Sequence, residues 1–488
     1  MANFSAIFGL AVVLCSVVTF LSSDVYKKRL GKQVVSKDPA VTEEVTKVHN
    51  ALLRRYLFVY LLATLSDWLQ GPFVYALYMD YGFKQHEIAQ LFVAGFGSSM
   101  IFGSFVGGMA DWGGRRLFVI IYAIVYAASC LTKHFNHYGI LMLGRLLGGV
   151  STSLLFSVFD AWLIRSHSDA ELPKSLLSKS FSWAAFGNSI IAILAGLIGN
   201  KIAETPMTQL TDTIYMGRLL NPFDFAILCL VVCGLGARFL WAENYGETET
   251  QLEARMEEGK GDEKWYGGLR NALLTTVRNR DIMLCGIISS LFEGSMYIFV
   301  FMWTPLLKAF IENPAEEVLP FGVIFSTFMV FCMTGSSLFS ILVGQYPVEK
   351  LAVGVVAVGA IAMGIVSLAI SETVSFLGMN LFEICVGMYF PIMGTMKGII
   401  VPESKRAAIY NLYRIPLNFI VVLSLLADPS PSVSFTLNFV MLVIATFLQA
   451  ILTIRRAERN EASDRSHFVE DVPLIQESGL EHEPSDEV

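Results

Sequence analysis

Apolar residues along this chain come in runs of about the length at which an α-helix crosses a bilayer, separated by short polar turns. The runs fall at 4–21, 56–79, 88–110, 117–131, 139–164, 181–199 and 223–241, then at 282–307, 321–343, 351–370, 374–400, 409–426 and 435–454. Setting aside the first, they make two groups of six. The pattern predicts an all-α polytopic membrane protein. An extra N-terminal transmembrane helix (1–23) is followed by a basic segment (24–55) and a first six-helix bundle (56–243). A polar linker (244–281), a second six-helix bundle (282–454) and an acidic tail (455–488) complete the chain.

Basic residues in short loops give the orientation, because cytoplasmic loops hold the excess of Lys and Arg. Lys27, Lys28, Arg29, Arg54, Arg55, Arg115, Arg116, Arg270, Arg278, Arg280, Lys405, Arg406, Arg455 and Arg456 all fall on one side, which puts the linker and tail in the cytoplasm. The first run carries its cations after the apolar stretch, the reverse of a secretory signal, so it is expected to be retained with its N-terminus outside.

Composition agrees: 54% of the 488 residues are hydrophobic and 16% charged, too apolar for a soluble domain. The net charge of -7 comes with no repeated basic face, which excludes nucleic acid as a partner. All seven cysteines lie inside apolar runs and lack metal spacing, and phosphate loops, paired metal-binding histidines and nucleophile elbows are missing. No cofactor, no metal and no catalysis are expected.

Internal repetition relates the two halves. Gly97-Ser98-Ser99 before Val106-Gly107 parallels Gly335-Ser336-Ser337 before Val343-Gly344, and Arg145 with Gly149 parallels Glu383 with Gly387. Charges inside the bilayer cost several kcal/mol and need a partner or a wet cavity. At ~1.5 Å per residue, Asp67 and Glu293 lie about 16 Å in from the cytoplasmic side, Glu383 about as deep from the other, and Arg145 shallower. Asp67, Gly71 and Tyr75 share one helical stripe, and Glu293 and Tyr297 another. These residues are the candidates for a solute site. The structural alternative is that Arg145 pairs with one carboxylate and the glycines serve helix packing.

The loop Gly107-Gly108-Met109-Ala110-Asp111-Trp112-Gly113-Gly114-Arg115-Arg116 resembles the signature loop of the major facilitator superfamily, with Trp112 where a basic residue is usual. The segments 67–72, 144–149, 156–162, 292–297, 389–391, 401–403 and 411–418 are together similar to the molybdate-anion transporter family. That resemblance implies a facilitator fold and uptake of molybdate by alternating access. It also implies a cytoplasmic gate in which Gly107, Asp111, Gly114, Arg115 and Arg116 join Asp160 on the fourth helix of the first bundle and Arg414 on the eleventh.

For a tetrahedral dianion, Arg145 is the first candidate ligand, with Gly71, Tyr75 and Tyr297 around it and Lys397 and Arg414 taking the anion over near the cytoplasm. The midplane acids Asp67, Glu293 and Glu383 suit a dianion only if protonated, so proton-coupled import is expected, with Glu293 and Glu383 as the main carriers. A neutral or cationic solute, or a non-transporting receptor or scaffold, are the alternatives. The partners are then molybdate, protons and the lipid bilayer, and the protein is expected to be a monomer. The cell membrane is the expected location, with endosomal or vacuolar routing as the alternative because residues 470–475 resemble an acidic dileucine signal. Restoring the missing cation with Trp112→Arg should strengthen the gate and favour the outward-facing state. Cytoplasmic labelling of cavity cysteines should then fall, and equal labelling in both forms would refute this.

Overall fold

The computed structural model describes residues 3–23, 42–103, 105–245, 273–311, 319–343, 345–402 and 406–470. The cluster Lys27 to Arg29, most of the linker, and 471–475 of the dileucine-like motif lie outside them. Among the described residues fifteen helices carry the architecture: α1 (Phe4–Ser22), α2 (Glu43–Asp80), α3 (Gln85–Gly103), α4 (Val106–Gly113), α5 (Arg115–Leu131), α6 (Tyr138–Leu155), α7 (Val158–Asp169), α8 (Lys174–Ile202), α9 (Asn221–Leu240), α10 (Arg280–Lys308), α11 (Phe321–Leu342), α12 (Val348–Ser367), α13 (Glu372–Ile400), α14 (Arg406–Leu426) and α15 (Pro431–Glu470). Eleven candidate spans among the described residues are long and apolar enough to cross a membrane. A two-stranded hairpin, β1 (Thr208–Gln209) with β2 (Tyr215–Met216), marks one end of the molecule, and the linker marks the other.

Two apolar runs that read as continuous are each broken into two helices. Between α3 and α4 the ladder tightens, with Phe105 N–H reaching the Phe102 carbonyl at 3.0 Å, next to the weak helix formers Gly103, Gly107 and Gly108. Between α6 and α7 the hydroxyls of Ser153 and Ser157 donate to the carbonyls of Gly149 (3.1 Å) and Ser153 (2.7 Å). Such back-bonding competes with the helix ladder and bends it. The prolines Pro391 and Pro416, by contrast, lie inside helices α13 and α14, which run on through them. At its start α2 runs 13 residues ahead of its apolar run, because Thr42 caps it by accepting from Val45 N–H at 3.3 Å.

α2 to α9 pack among themselves, as do α10 to α15, and the two sets meet along α8 against α11 and α3 against α14. The internal repeat places equivalent glycines at equivalent crossings. A Cβ on Gly149 of α6 would collide with Ser98 and the Gly95 carbonyl of α3, and one on Gly387 of α13 with the Cys332 carbonyl of α11. Small residues let backbones approach where hydrocarbon supplies no hydrophobic drive. The extra helix α1 lies on the second set, against α11 and α13. There Thr19 and Ser337 hydroxyls are 3.0 Å apart and the Phe4 and Phe376 rings 4.9 Å. Ala11 and Cys15 of α1 also share a cluster with Ile193 of α8, so α1 covers the seam between the sets.

The Gly387 crossing is directly testable. Gly387→Ala should destabilise the purified protein by about 1–3 kcal/mol through overpacking against backbone. Gly354→Ala in α12, where nothing lies within 4 Å, should be neutral or stabilising by thermal unfolding in the same detergent.

Candidate functional site

Contacts joining the two sets lie toward the hairpin end. Gln85 donates to the Pro429 carbonyl at 3.1 Å and Gly322 N–H to Asn200 at 3.3 Å. Below them Phe301 of α10 sits edge-on between Tyr75 (5.1 Å) and Phe92 (5.2 Å), and Tyr297 meets Phe96 at 5.1 Å. Aromatic edges and faces interlock well in such T-shaped contacts. They close the path between the sets on this side.

On the linker side of that plug lies a cavity of about 320 Å³, lined by Ser289, Ser290 and Glu293 of α10, Lys397 of α13, and Tyr410, Tyr413, Arg414 and Leu417 of α14. A smaller space of about 40 Å³ joins it through Arg414 and Leu417 and reaches Ser99, Tyr297 and Asn418. One oxygen of Glu293 accepts from both the Tyr389 hydroxyl (2.9 Å) and the Lys397 ammonium (3.2 Å). Tyr389 is held by a 3.9 Å stack on Phe292, and the ammonium of Lys397 lies 5.8 and 5.9 Å from the Tyr410 and Tyr413 rings. Lys397 and Glu293 side chains keep 18% and 23% exposure, so the pair borders the cavity and is not sealed in the core. Two cations face one carboxylate, and the cavity therefore carries a positive excess.

The other predicted residues are dispersed. Asp67 accepts a short hydrogen bond from Tyr126 within the first set. Glu383 is buried in the α13 helix that packs on α11 and does not line the cavity. Gly71 has open space beside it, and Tyr75 belongs to the aromatic plug. Arg145 lies behind that plug, its guanidinium carbon 3.9 Å from the Phe92 ring centroid.

The signature loop forms an assembly at the linker end of the first set. Gly107 is in the first turn of α4, and Asp111 receives Arg115 at 2.7 and 2.9 Å. Arg115 also donates to the Ala161 carbonyl at 3.1 Å, which ties α5 to α7. Asp160 accepts from Tyr56 at 3.1 Å. Gly114 has φ +100°, and its missing side chain admits the Glu243 carboxylate, which accepts from Arg116 N–H (2.7 Å) and Leu117 N–H (3.2 Å) and pairs with the Arg116 guanidinium. A carboxylate on the first N–H groups of α5 caps it and meets the positive end of its dipole. Arg414 lines the cavity and lies against the end of α3 near Gly103, outside this assembly. Sequence reasoning missed Glu243, Tyr126 and Tyr389. Of these only Tyr389 carried a signal, since it lies two helical turns before Lys397 on α13.

Known proteins match the chain over most of its length. A family model described as sugar transporters with 12 transmembrane segments, within the major facilitator superfamily, matches residues 8–388. The molybdate-anion transporter of Takifugu rubripes is 34% identical over 400 residues, covering 76% of this chain and 78% of its own. That of Xenopus tropicalis is 34% identical over 424 residues, 83% of this chain and 86% of its own. Among solved structures, a mutant form of the nucleoside transporter NupG is similar with a TM-score of 0.65 at 12% identity, covering 82% of this chain and 99% of its own. A D-xylose-proton symporter follows at 0.60 and 14% identity, covering 82% and 95%. These structures share the facilitator fold.

Gly114→Ala should strain a backbone conformation that side chains avoid and push Glu243 off the start of α5, costing about 1–3 kcal/mol. Thermal unfolding should show the loss, and combining Gly114→Ala with Glu243→Gln should cost less than the sum of the two.

Proposed function

Because the chain belongs to the molybdate-anion transporter family of the major facilitator superfamily, we propose that it imports molybdate by alternating access, with Lys397 and Arg414 as the anion ligands and Glu293 as the proton carrier. The observation that carries this reading is the Lys397–Glu293 pair, beside Arg414, at the wall of a cavity lined by α10, α13 and α14, which the smaller space beside it links to α3 of the first set. A single ammonium cannot serve a carboxylate and a dianion fully at once. When Glu293 takes a proton, its charge is gone and Lys397 turns to the substrate. Arg414 then adds its planar fork of donors to the oxyanion. When the proton leaves toward the cytoplasm, the Glu293 carboxylate reclaims Lys397 and repels the dianion, and both move inward together.

The state described is closed at the hairpin end by the Phe301 plug, and its cavity lies toward the linker end, which the distribution of basic residues assigns to the cytoplasm. This arrangement suits release of cargo inward. A sugar, which the family model's description would suggest, has no use for two cations against one carboxylate. The positive excess favours an anion.

The test is radiolabelled molybdate uptake in a host lacking its own carriers, competed with tungstate, sulfate and D-xylose. Wild type should accumulate molybdate faster at acid external pH, with competition from tungstate and none from the sugar. Lys397→Gln should lower uptake at least tenfold, equivalent to about 1.4 kcal/mol. Glu293→Gln should retain anion exchange while losing the dependence on external pH. Uptake indifferent to pH and to a protonophore would remove the proton-coupled part, and no accumulation by wild type would remove molybdate.

A further inference from the structure

On the hairpin side of the aromatic plug, two cations have no counter-charge among the described residues. Lys133 follows α5 in a short 3-10 turn (Thr132–His134) and is 2% exposed, yet among the described residues its ammonium meets only neutral hydroxyls, that of Thr132 in a long contact of 3.4 Å and that of Tyr78. Three donors sit on that nitrogen. Arg145 of α6, close by, has its Nε and one terminal nitrogen buried without a hydrogen-bond partner. Both cations flank the ring of Tyr78, itself fully buried, at 6.0 and 5.4 Å from its centroid. The nearby acid Asp224 is engaged by His134 at 2.9 Å, and Glu87 caps the Lys84 N–H at 2.8 Å.

Leaving two like charges dehydrated, adjacent and unpaired is costly, and natural interiors pair such groups unless a ligand does so. Packing alone does not require it. An uncharged side chain of similar length would fill the place of Lys133 under Tyr78, and the guanidinium of Arg145 could satisfy its donors on carbonyls. What both groups lack is an acceptor with multiple oxygens and negative charge. The wall between them and the interior between the sets is Phe92, which carries Arg145 on one side and Phe301 of the second set on the other. Withdrawal of Phe301 from between Tyr75 and Phe92 would remove the contact that holds this wall shut and give the two cations access to the hairpin side.

We propose that Lys133 and Arg145, around Tyr78, form a second oxyanion station in the first set of helices, loaded from the hairpin side and separate from the Lys397–Arg414 cavity. Its ligand is a tetrahedral, doubly charged oxyanion. Guanidinium and ammonium together neutralise it, and the shared chemistry covers molybdate, tungstate and sulfate alike. As the entry station for transport it rests on the anion-import reading above, but its occupancy by an oxyanion does not.

The experiment is thermal unfolding of the purified full-length protein titrated with molybdate, with sulfate and with chloride as the control, in wild type, Lys133→Gln, Lys133→Arg, Lys397→Gln and the double variant Lys133→Gln/Lys397→Gln. A ligand of the native state raises Tm as it saturates its site. Wild type should be stabilised by the dianions and not by chloride, each single Gln variant should keep about half of the rise, and the double variant should lose it. Lys133→Arg should behave as wild type, separating charge from packing. The station is refuted by a Lys133→Gln response equal to wild type, by complete loss of the response in Lys397→Gln alone, or by no response to dianions in any form. If dianion stabilisation follows Lys133 while cells accumulate no molybdate, the import reading falls and the station stands.

Discussion

A charge placed in hydrocarbon has no water to answer it, and the whole arrangement follows from how each such charge is answered by the protein itself. The Glu293 carboxylate is the central case. It is fixed by a tyrosine hydroxyl from one direction and a lysine from another, and both partners come from the same helix, α13. The geometry of the cavity therefore depends on how α10 packs on α13. That packing is set by the stack of Phe292 on Tyr389, with Phe382 beyond it. Around this fixed pair the remaining wall is α14, whose Arg414 and tyrosines face the same space. The second set of helices thus supplies the lining of the cavity, and α3 of the first set borders only the smaller space beside it.

The first set has its own polar organisation, at the two ends of the bundle. At the linker end Glu243 and the Trp241–Trp162 stack of 3.9 Å fasten the last residues before the linker onto the signature loop, with Asn244 bonding back to the Trp162 carbonyl. The second set repeats the theme with different residues. Asp281, 2% exposed at the start of α10, holds Arg455 and Arg459 of α15, and Glu349 holds Arg456. These linker-end ion pairs are each made within one set and none of them ties the two sets together.

Most of the fold was legible because the solvent imposes a length. Runs such as 282–307 and 321–343 predict α10 and α11 to within two residues, since hydrocarbon thickness and helix rise leave few choices. What hydropathy cannot see is a break inside an apolar run. The interruptions after Gly103 and at Phe156–Ser157 depend on glycine spacing and serine hydroxyl bonding, which alter the backbone without altering apolar character. The site was legible in part. Depth arithmetic found Asp67, Glu293, Glu383 and Arg145 as intramembrane charges and left Lys397 near the cytoplasmic face, but depth says nothing of which face of a helix a residue occupies. Asp67 and Glu383 therefore turn out to be held within separate sets, and Lys133, lying at the end of a run, was passed over.

A chain is made from its N-terminus, and α1 is the first of these helices to be synthesised. Yet its hydroxyl contact is with Ser337, 318 residues later, and its aromatic contact is with Phe376. Throughout synthesis of the first set α8 offers it only a contact at Ile193, and its main docking surface exists only once α11 and α13 are made. Long-range closure of this kind is slow and leaves a partly assembled species exposed meanwhile. A fragment ending at the linker would leave α1 without its main partners, and completion of the second set is what recruits the beginning of the chain into the finished molecule.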